Sequence, residues 1–240
     1  TKLVDPYLRS FWDDFEALTP KEKRDEIRST KNKINTVIAD SRLRAILGQG
    51  KSAFTMAEVL RGKIFLARLP HGEMGLQKTR LLGILLLTQL HVAALSRKST
   101  APFDVFIDEA HHFQGTALME MLSGIRKFGV SLHLSHQYIR QLEPEMRDAL
   151  TANTAQKYLF RTSKQDGDFF DELDALPTHS ITLLHELPRF HYRDGSEVRA
   201  VPPLPKPHCK GAKSITASDR VYARPSQAIA RELDHYLDLL

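Results

Sequence analysis

Cysteine is almost absent. The single Cys209 excludes a disulfide framework, and no Cys/His pair has metal-ligand spacing. Charge of one sign is also scarce. The formal net charge is +5 over 240 residues, too mild by itself to require an anionic partner. No apolar run reaches membrane-spanning length. The nearest, Leu81 to Leu95, is interrupted by Gly83, Gln89 and His91 and reads as a buried helix. The chain opens Thr1-Lys-Leu-Val-Asp-Pro, without an initiator Met or a signal peptide, and is expected to be a fragment of a longer protein.

What is present suits a folded core. Hydrophobic residues make up 42%, ample for one large α/β domain or a domain with an appendage. The central stretch is Ala101 to Phe113. Phe103 to Ile107 reads as a short buried strand that ends on two adjacent acids, Asp108 and Glu109. Open α/β sheets place their ligands at the carboxyl ends of strands. An apolar strand ending in Asp-Glu has the form of a Walker B segment, in which the Asp holds Mg²⁺ and the Glu polarises the attacking water. A buried strand running into a solvated turn explains the same residues. His111-His112 reads as a structural or surface pair.

The surroundings weigh on that choice. Gly62 to Leu69 reads as a strand, Leu76 to Arg97 as a long helix, and Thr116 to Lys127 as an amphipathic helix stopped by Gly129. Val130 to Ser135 reads as the next strand, Pro144 starts a helix, Gln156 to Phe160 is a third strand of this series, and Asp166 to Leu176 is a short helix. The alternation predicts a parallel sheet covered by helices. It also predicts that Asp108-Glu109, Gln137 and Arg161 converge at one sheet edge. Gln137 would orient water or sense a γ-phosphate, and Arg161 would neutralise developing charge. Duller roles exist: Gln137 as a helix cap, Arg161 as a partner of Asp166 or Asp168.

The flanks read differently. Asp5 to Lys33 is helical, with a helix start at Thr19-Pro20 and Glu22. Ala45 to Ser52 satisfies a relaxed P-loop pattern through Gly48, Gly50, Lys51 and Ser52. Its lead-in, Asp40 to Ala45, reads as a helix rather than the buried strand a P-loop follows. Past Leu176 come Pro177, Pro188, Pro202, Pro203, Pro205 and Pro207, a hairpin around Asp194-Gly195, a basic linker from Lys206 to Ser214, and a helix from Ser218 to Leu240. Three regions are expected: a helical segment over 1–60, an α/β core over 61–187, and a hairpin, linker and helix over 188–240.

Arg44 to Gln49, Gly62 to Gly72, Gly75, Leu81 to Gly83, Phe103 to Glu109, Arg126 to Gly129, Ser135 to Gln137, Asn153 and Phe160-Arg161 follow in an order that resembles TraG/TraD-like conjugative DNA-transfer ATPases of the HerA/FtsK superfamily. Ser218-Asp-Arg220, Tyr222 and Arg224-Pro225 resemble that family's tail. The resemblance implies a RecA-like P-loop NTPase fold, with its Walker A strand upstream and Gly50-Lys51-Ser52 a chance match. It implies Asp108 on Mg²⁺, Glu109 as catalytic base, Gln137 as the strand-end sensor, and Arg161 as arginine finger, with Arg126 the alternative. It further implies ATP and Mg²⁺ as cofactors, DNA bound without sequence preference, and a homo-hexamer. Relaxosome or secretion-channel partners and a place at the inner face of the cell membrane follow from the same resemblance. His111-His112 is more basic than the family pattern. The alternative function is a non-catalytic recognition or assembly module. A true Walker lysine at Lys51 predicts that this chain alone binds Mg-ATP and loses it on Lys51→Ala; with Gly50-Lys51-Ser52 a chance match, an equilibrium titration of the unmutated chain is expected to show no tight binding.

Overall fold

The computed structural model describes residues 5–173, 183–195, 197–202 and 211–237. Cys209, Pro177, Pro203, Pro205, Pro207 and most of the Lys206–Ser214 linker lie outside them. The chain divides into two compact units, Thr1–Ala53 with Ser214–Leu240, and Phe54–Lys213.

The first unit is helical. α1 (Pro6–Ala17) starts on Asp5, whose carboxylate accepts from the Tyr7 and Leu8 amides. α2 (Pro20–Ile38) starts on a full capping box: Thr19 Oγ1 accepts from the Glu22 amide, and the Glu22 carboxylate accepts from the Thr19 amide. The Thr19 hydroxyl, donating to Glu22 Oε2 at 2.6 Å, and then the Thr19 amide hold the Glu22 carboxyl below its usual range. α3 (Ser41–Leu47) follows Asp40 and carries the fully buried Leu43.

The second unit begins with α4 (Met56–Val59), α5 (His71–Met74) and α6 (Leu76–Leu95). Between α4 and α5 the expected strand over Gly62 to Leu69 does not form. The segment is unpaired, and Ile64 and Leu66 are almost fully exposed. An apolar run becomes a strand only when a neighbouring backbone takes its hydrogen bonds, and among the described residues none does. Phe65 turns inward, its ring centroid 5.1 Å from that of Phe54. Among the described residues α6 is the one helix long and apolar enough to cross a membrane. Its Leu82, Leu87, Leu90 and Ala94 are nonetheless buried in the core.

β1 (Phe103–Ile107) pairs in parallel with β2 (Val130–Leu134), Phe103 opposite Val130 and Ile107 opposite Leu134. α7 (Thr116–Gly124) and a 3-10 turn over Ile125–Phe128 make the crossover. Gly129 ends it with φ 73°, and a Cβ there would stand 2.4 Å from the Thr100 carbonyl oxygen. Only glycine allows this approach, which also brings the Gly129 carbonyl to the Phe103 amide at 2.9 Å. Leu118, Met121, Ile125 and Val130 are almost wholly buried, each removal from water contributing about 1.5–3 kcal/mol. The helices cover one sheet face. Asp104, Phe106, Ser131 and His133 lie exposed on the other, with Phe106 stacked on His133 at 4.3 Å and His133 Nε2 3.0 Å from Asp104 Oδ1. The expectation of a sheet covered by helices is corrected accordingly.

α8 (Pro144–Asn153) leads to β3 (Leu159–Phe160), then α9 (Lys164–Leu173). The expectation of a third parallel strand over Gln156 to Phe160 is also corrected. β3 pairs antiparallel with β4 (His191–Asp194), which pairs with β5 (Glu197–Ala200) across the hairpin at Gly195. The parallel sheet is therefore two-stranded, and β3 belongs to a separate three-stranded sheet. The Arg193 side chain is fully buried, and its Nη1 donates to Asp171 Oδ1 at 2.6 Å, tying the hairpin to α9.

The C-terminal segment forms two helices, α10 (Ala212–Tyr222) and α11 (Ser226–Leu237), rather than one. Pro225, with no amide hydrogen to donate, separates them. Within the first unit α11 packs on α3: Leu233 sits against Gly48, where a Cβ would stand 2.6 Å from its Cδ2.

Removing the carboxylate from the hairpin pair strands a buried guanidinium. Asp171→Ala is expected to lower unfolding stability by about 3 kcal/mol, read as a lower urea midpoint at unchanged denaturant slope.

Candidate active site

Asp108 and Glu109 leave the carboxyl end of β1, and Ser135, His136 and Gln137 leave the carboxyl end of β2. The ladder runs on past the strands. The Ser135 amide donates to the Ile107 carbonyl at 3.0 Å, and the Ala110 amide to the Ser135 carbonyl at 2.8 Å. Both groups of side chains are thus held at one edge. Ser135 Oγ donates to Asp108 Oδ1 at 2.6 Å, and the Glu109 amide donates to the same oxygen at 3.0 Å. Gln137 Nε2 donates to Glu109 Oε1 at 2.6 Å.

Glu109 has φ 50° and ψ 46°, the left-handed region that a non-glycine residue enters at a cost. Its second oxygen, Oε2, is buried 3.3 Å from His111 Nδ1. The approach is close enough for ionic attraction, but neither atom makes an aligned hydrogen bond. The His111 side chain is only 12% exposed, so it is not a surface group. His112 lies beside it, ring centroids 4.0 Å apart, and burial followed by the neighbouring His111 pushes the His112 pKa down.

A 3-10 turn over Ala110–Phe113 carries these histidines. It is fastened in two ways. The Phe113 ring seats on Gly83 of α6, where a Cβ would come within 2.2 Å of it. Gln114 is buried, with its Nε2 donating to the His111 and Gln141 carbonyls, both at 2.9 Å, and its Oε1 accepting from the Glu143 amide at 2.6 Å. One amide side chain thereby joins the loop after the acids to the turn after Gln137 and to the start of α8.

The other expected residues lie elsewhere. Arg161 is exposed and follows β3 of the antiparallel sheet. No hydrogen bond or ion pair among the described residues joins it to Asp108, Glu109 or Gln137. Asp166, offered as its duller partner, faces Arg140 at 3.8 Å and Thr162 Oγ1 at 3.4 Å. Arg126 is in the turn before β2, at the end of the strand pair opposite the acids.

The P-loop-like segment lies in the other unit. It follows α3 and precedes the capped, four-residue α4, so neither a strand before it nor a helix directly after it is present. The Gly50 amide donates to Glu232 Oε1 at 3.2 Å, and Arg224 Nη2 donates to Glu232 Oε2. The Arg224 bond, then the Gly50 amide, hold the Glu232 carboxyl below its usual range.

Ser135, His111, His136 and Gln114 were not singled out from sequence as site residues. The one available signal was position, because Ser135 and His136 directly precede Gln137 after an apolar strand. Among the described residues no group of three or more His, Cys, Asp or Glu is placed to hold a metal. The site nevertheless suits a hydrated Mg²⁺, which keeps several waters and needs one carboxylate. Asp108 is exposed and presents a carboxylate beside the Ser135 hydroxyl.

Comparison of the chain with protein-family models, with curated proteins and with solved structures gives no match.

His136 carries a pH signature. Burial, then the charge of His111, push its pKa down, against the opposing pull of Asp166 and Glu109. A histidine lowered in the folded state is protonated first in the unfolded chain. Stability is therefore present above the ordinary histidine value of about 6.5 and is lost as pH falls through the folded value. In urea titrations between about pH 7.5 and about pH 5.5, His136→Asn is expected to lose less stability than wild type.

Proposed function

We propose that the chain is part of an ATP-driven motor of the TraG/TraD-like type, hydrolysing ATP to move DNA or a DNA-protein complex in conjugative transfer. The observation that carries this reading is the bond from Gln137 to Glu109 across the ends of two parallel strands, with Asp108 and Ser135 alongside. Two acids and an amide at one strand edge are the groups that γ-phosphate chemistry uses.

Asp108 would hold a hydrated Mg²⁺ with the Ser135 hydroxyl beside it. The bound ion would supply charge neutralisation on the phosphates. Glu109 takes the proton of the attacking water. Its Oε1 is oriented by Gln137, and its Oε2 faces His111 Nδ1 at 3.3 Å. Gln137 couples the state of the γ-phosphate to the position of that carboxylate. Arg161 acts across a subunit interface, with Arg126 as the alternative. The phosphate-cradling amides and their lysine are not assigned to residues of this chain. DNA contacts are to phosphates and carry little sequence information.

In the full-length protein, Glu109→Gln is expected to lower ATP turnover by about 10²-fold or more while nucleotide binding is retained. Turnover equal to wild type overturns the assignment of the base.

A further inference from the structure

Parallel strands share their starting edge as well as their finishing one. At the starting edge of β1 and β2, opposite Asp108 and Glu109, three segments of the second unit meet. Arg97 ties them together: its Nη1 donates to the Phe128 carbonyl and its Nη2 to the Leu60 carbonyl, both at 3.1 Å. Thr100 lies against Gly129, and the Phe103 amide donates to the Gly129 carbonyl. The stretch after α4, the loop after α6 and the turn before β2 are therefore neighbours.

These segments are basic. They bring Arg61 and Lys63, Arg97 and Lys98, and Arg126 and Lys127 to one edge. Arg97 is half-buried, and its two bonds take carbonyls at the ends of α4 and of the 3-10 turn. The other five are exposed, and among the described residues no ion pair engages them. The Lys127 ammonium stands over the Phe128 ring, 5.1 Å from its centroid. The one acid in these stretches is Glu58, whose carboxylate accepts from the Thr55 amide and whose charge is felt by Lys63 and Arg61. Six cations against one acid equal the formal net charge of the whole chain, +5, leaving 28 of the 34 Lys and Arg against 28 of the 29 Asp and Glu. The net excess of the chain is the excess of this edge. Gathering like charges costs stability through self-repulsion, which a bound anion relieves.

An anion that meets cations on three separate segments at once must be extended and repeating. A nucleic-acid backbone is such an anion, with one negative charge per about 1.7 Å of duplex axis. Around the cations, Ser96, Ser99 and Thr100 are exposed hydroxyl residues of the kind that donate to phosphate oxygens. A membrane-surface segment instead interleaves its cations with large apolar side chains, and Ser96 to Thr100 and Arg126-Lys127 contain none. We propose that this edge is a contact surface for the phosphate backbone of nucleic acid, with Arg61, Lys63, Lys98 and Lys127 among its phosphate contacts. The surface is read from charge and position alone; that the nucleic acid is DNA rests on the motor reading.

The test is fluorescence anisotropy of the 240-residue chain with labelled DNA duplexes of about 20 base pairs, from about 50 to about 200 mM NaCl. Binding is expected to weaken linearly on a log-log plot against salt and to be alike for two unrelated sequences. R61Q/K63Q and K98Q/K127Q should each weaken binding by about 10-fold or more and reduce the salt slope by about 2. K98R/K127R, which keeps the charge, should bind as wild type does. K21Q/K33Q removes the same charge from α2 and should change neither affinity nor slope. Unchanged circular dichroism and thermal midpoints check that the variants fold. A chain that binds no duplex overturns the proposal, as does a salt slope untouched by both edge pairs or an equal loss in K21Q/K33Q. Co-sedimentation with phosphatidylserine vesicles that both edge pairs abolish, in a chain that ignores DNA, also overturns it and gives the edge to a membrane surface, with the exposed Ile64 and Leu66 beside Lys63 as its apolar part. Failure of the motor reading is a separate result, since it appears in the ATP turnover of Glu109→Gln and not in DNA affinity.

Discussion

The parallel pairing of β1 with β2 is the constraint on which the candidate site depends. Two antiparallel neighbours would send their carboxyl ends to opposite edges. The parallel register, with Ile107 beside Leu134, sends both to the same edge, and the bonds at Ser135 and Ala110 carry the ladder one step further. That arrangement needs a crossover, and the crossover needs Gly129, where the backbone passes too near Thr100 for any side chain. The apolar faces of α6 and α7 then hold the pair against the core. Asp108, Glu109, Ser135 and Gln137 meet because four structural conditions are satisfied at once: strand direction, register, crossover and helix packing.

Parts of this were legible in the amino-acid order and parts were not. β1 and β2 are apolar runs with clear punctuation, and their ends carry the acids and the glutamine, so pattern alone located them. Gly62 to Leu69 has the same apolar character but no strand partner among the described residues, and propensity without pairing leaves an extended segment. β3 failed for another reason. Its partner, β4, lies some thirty residues on, and nothing local in Gln156 to Phe160 states the direction of that pairing. The separation of Arg161 from the acids follows directly, since its expected place rested on β3 being parallel.

The polar neighbours of the site were hidden differently. Whether Gln114 caps a helix or joins three segments depends on where Gln141 and Glu143 are brought, and that is settled by packing. His111 and His112 look alike in the chain. One faces the Glu109 carboxylate within a partly buried turn, and the other has its pKa pushed down by burial and by its neighbour. A dipeptide cannot distinguish such roles, because burial is a property of the fold.

The left-handed backbone of Glu109 has a consequence for any substitution there. Glycine or asparagine would accept φ 50° with little resistance, whereas a β-branched residue would meet it with strain. Replacements at this position can therefore change two separate things, the carboxylate and the conformational preference of the peptide that carries it. A glutamine keeps the shape and the backbone demand of glutamate and alters only the charge. An alanine deletes the charge and the shape but still meets the cost of the left-handed backbone. A glycine relieves the strain while deleting the acid, so it can yield a sturdier fold with an emptier site. Loss of activity and loss of stability can consequently run in opposite directions at one residue.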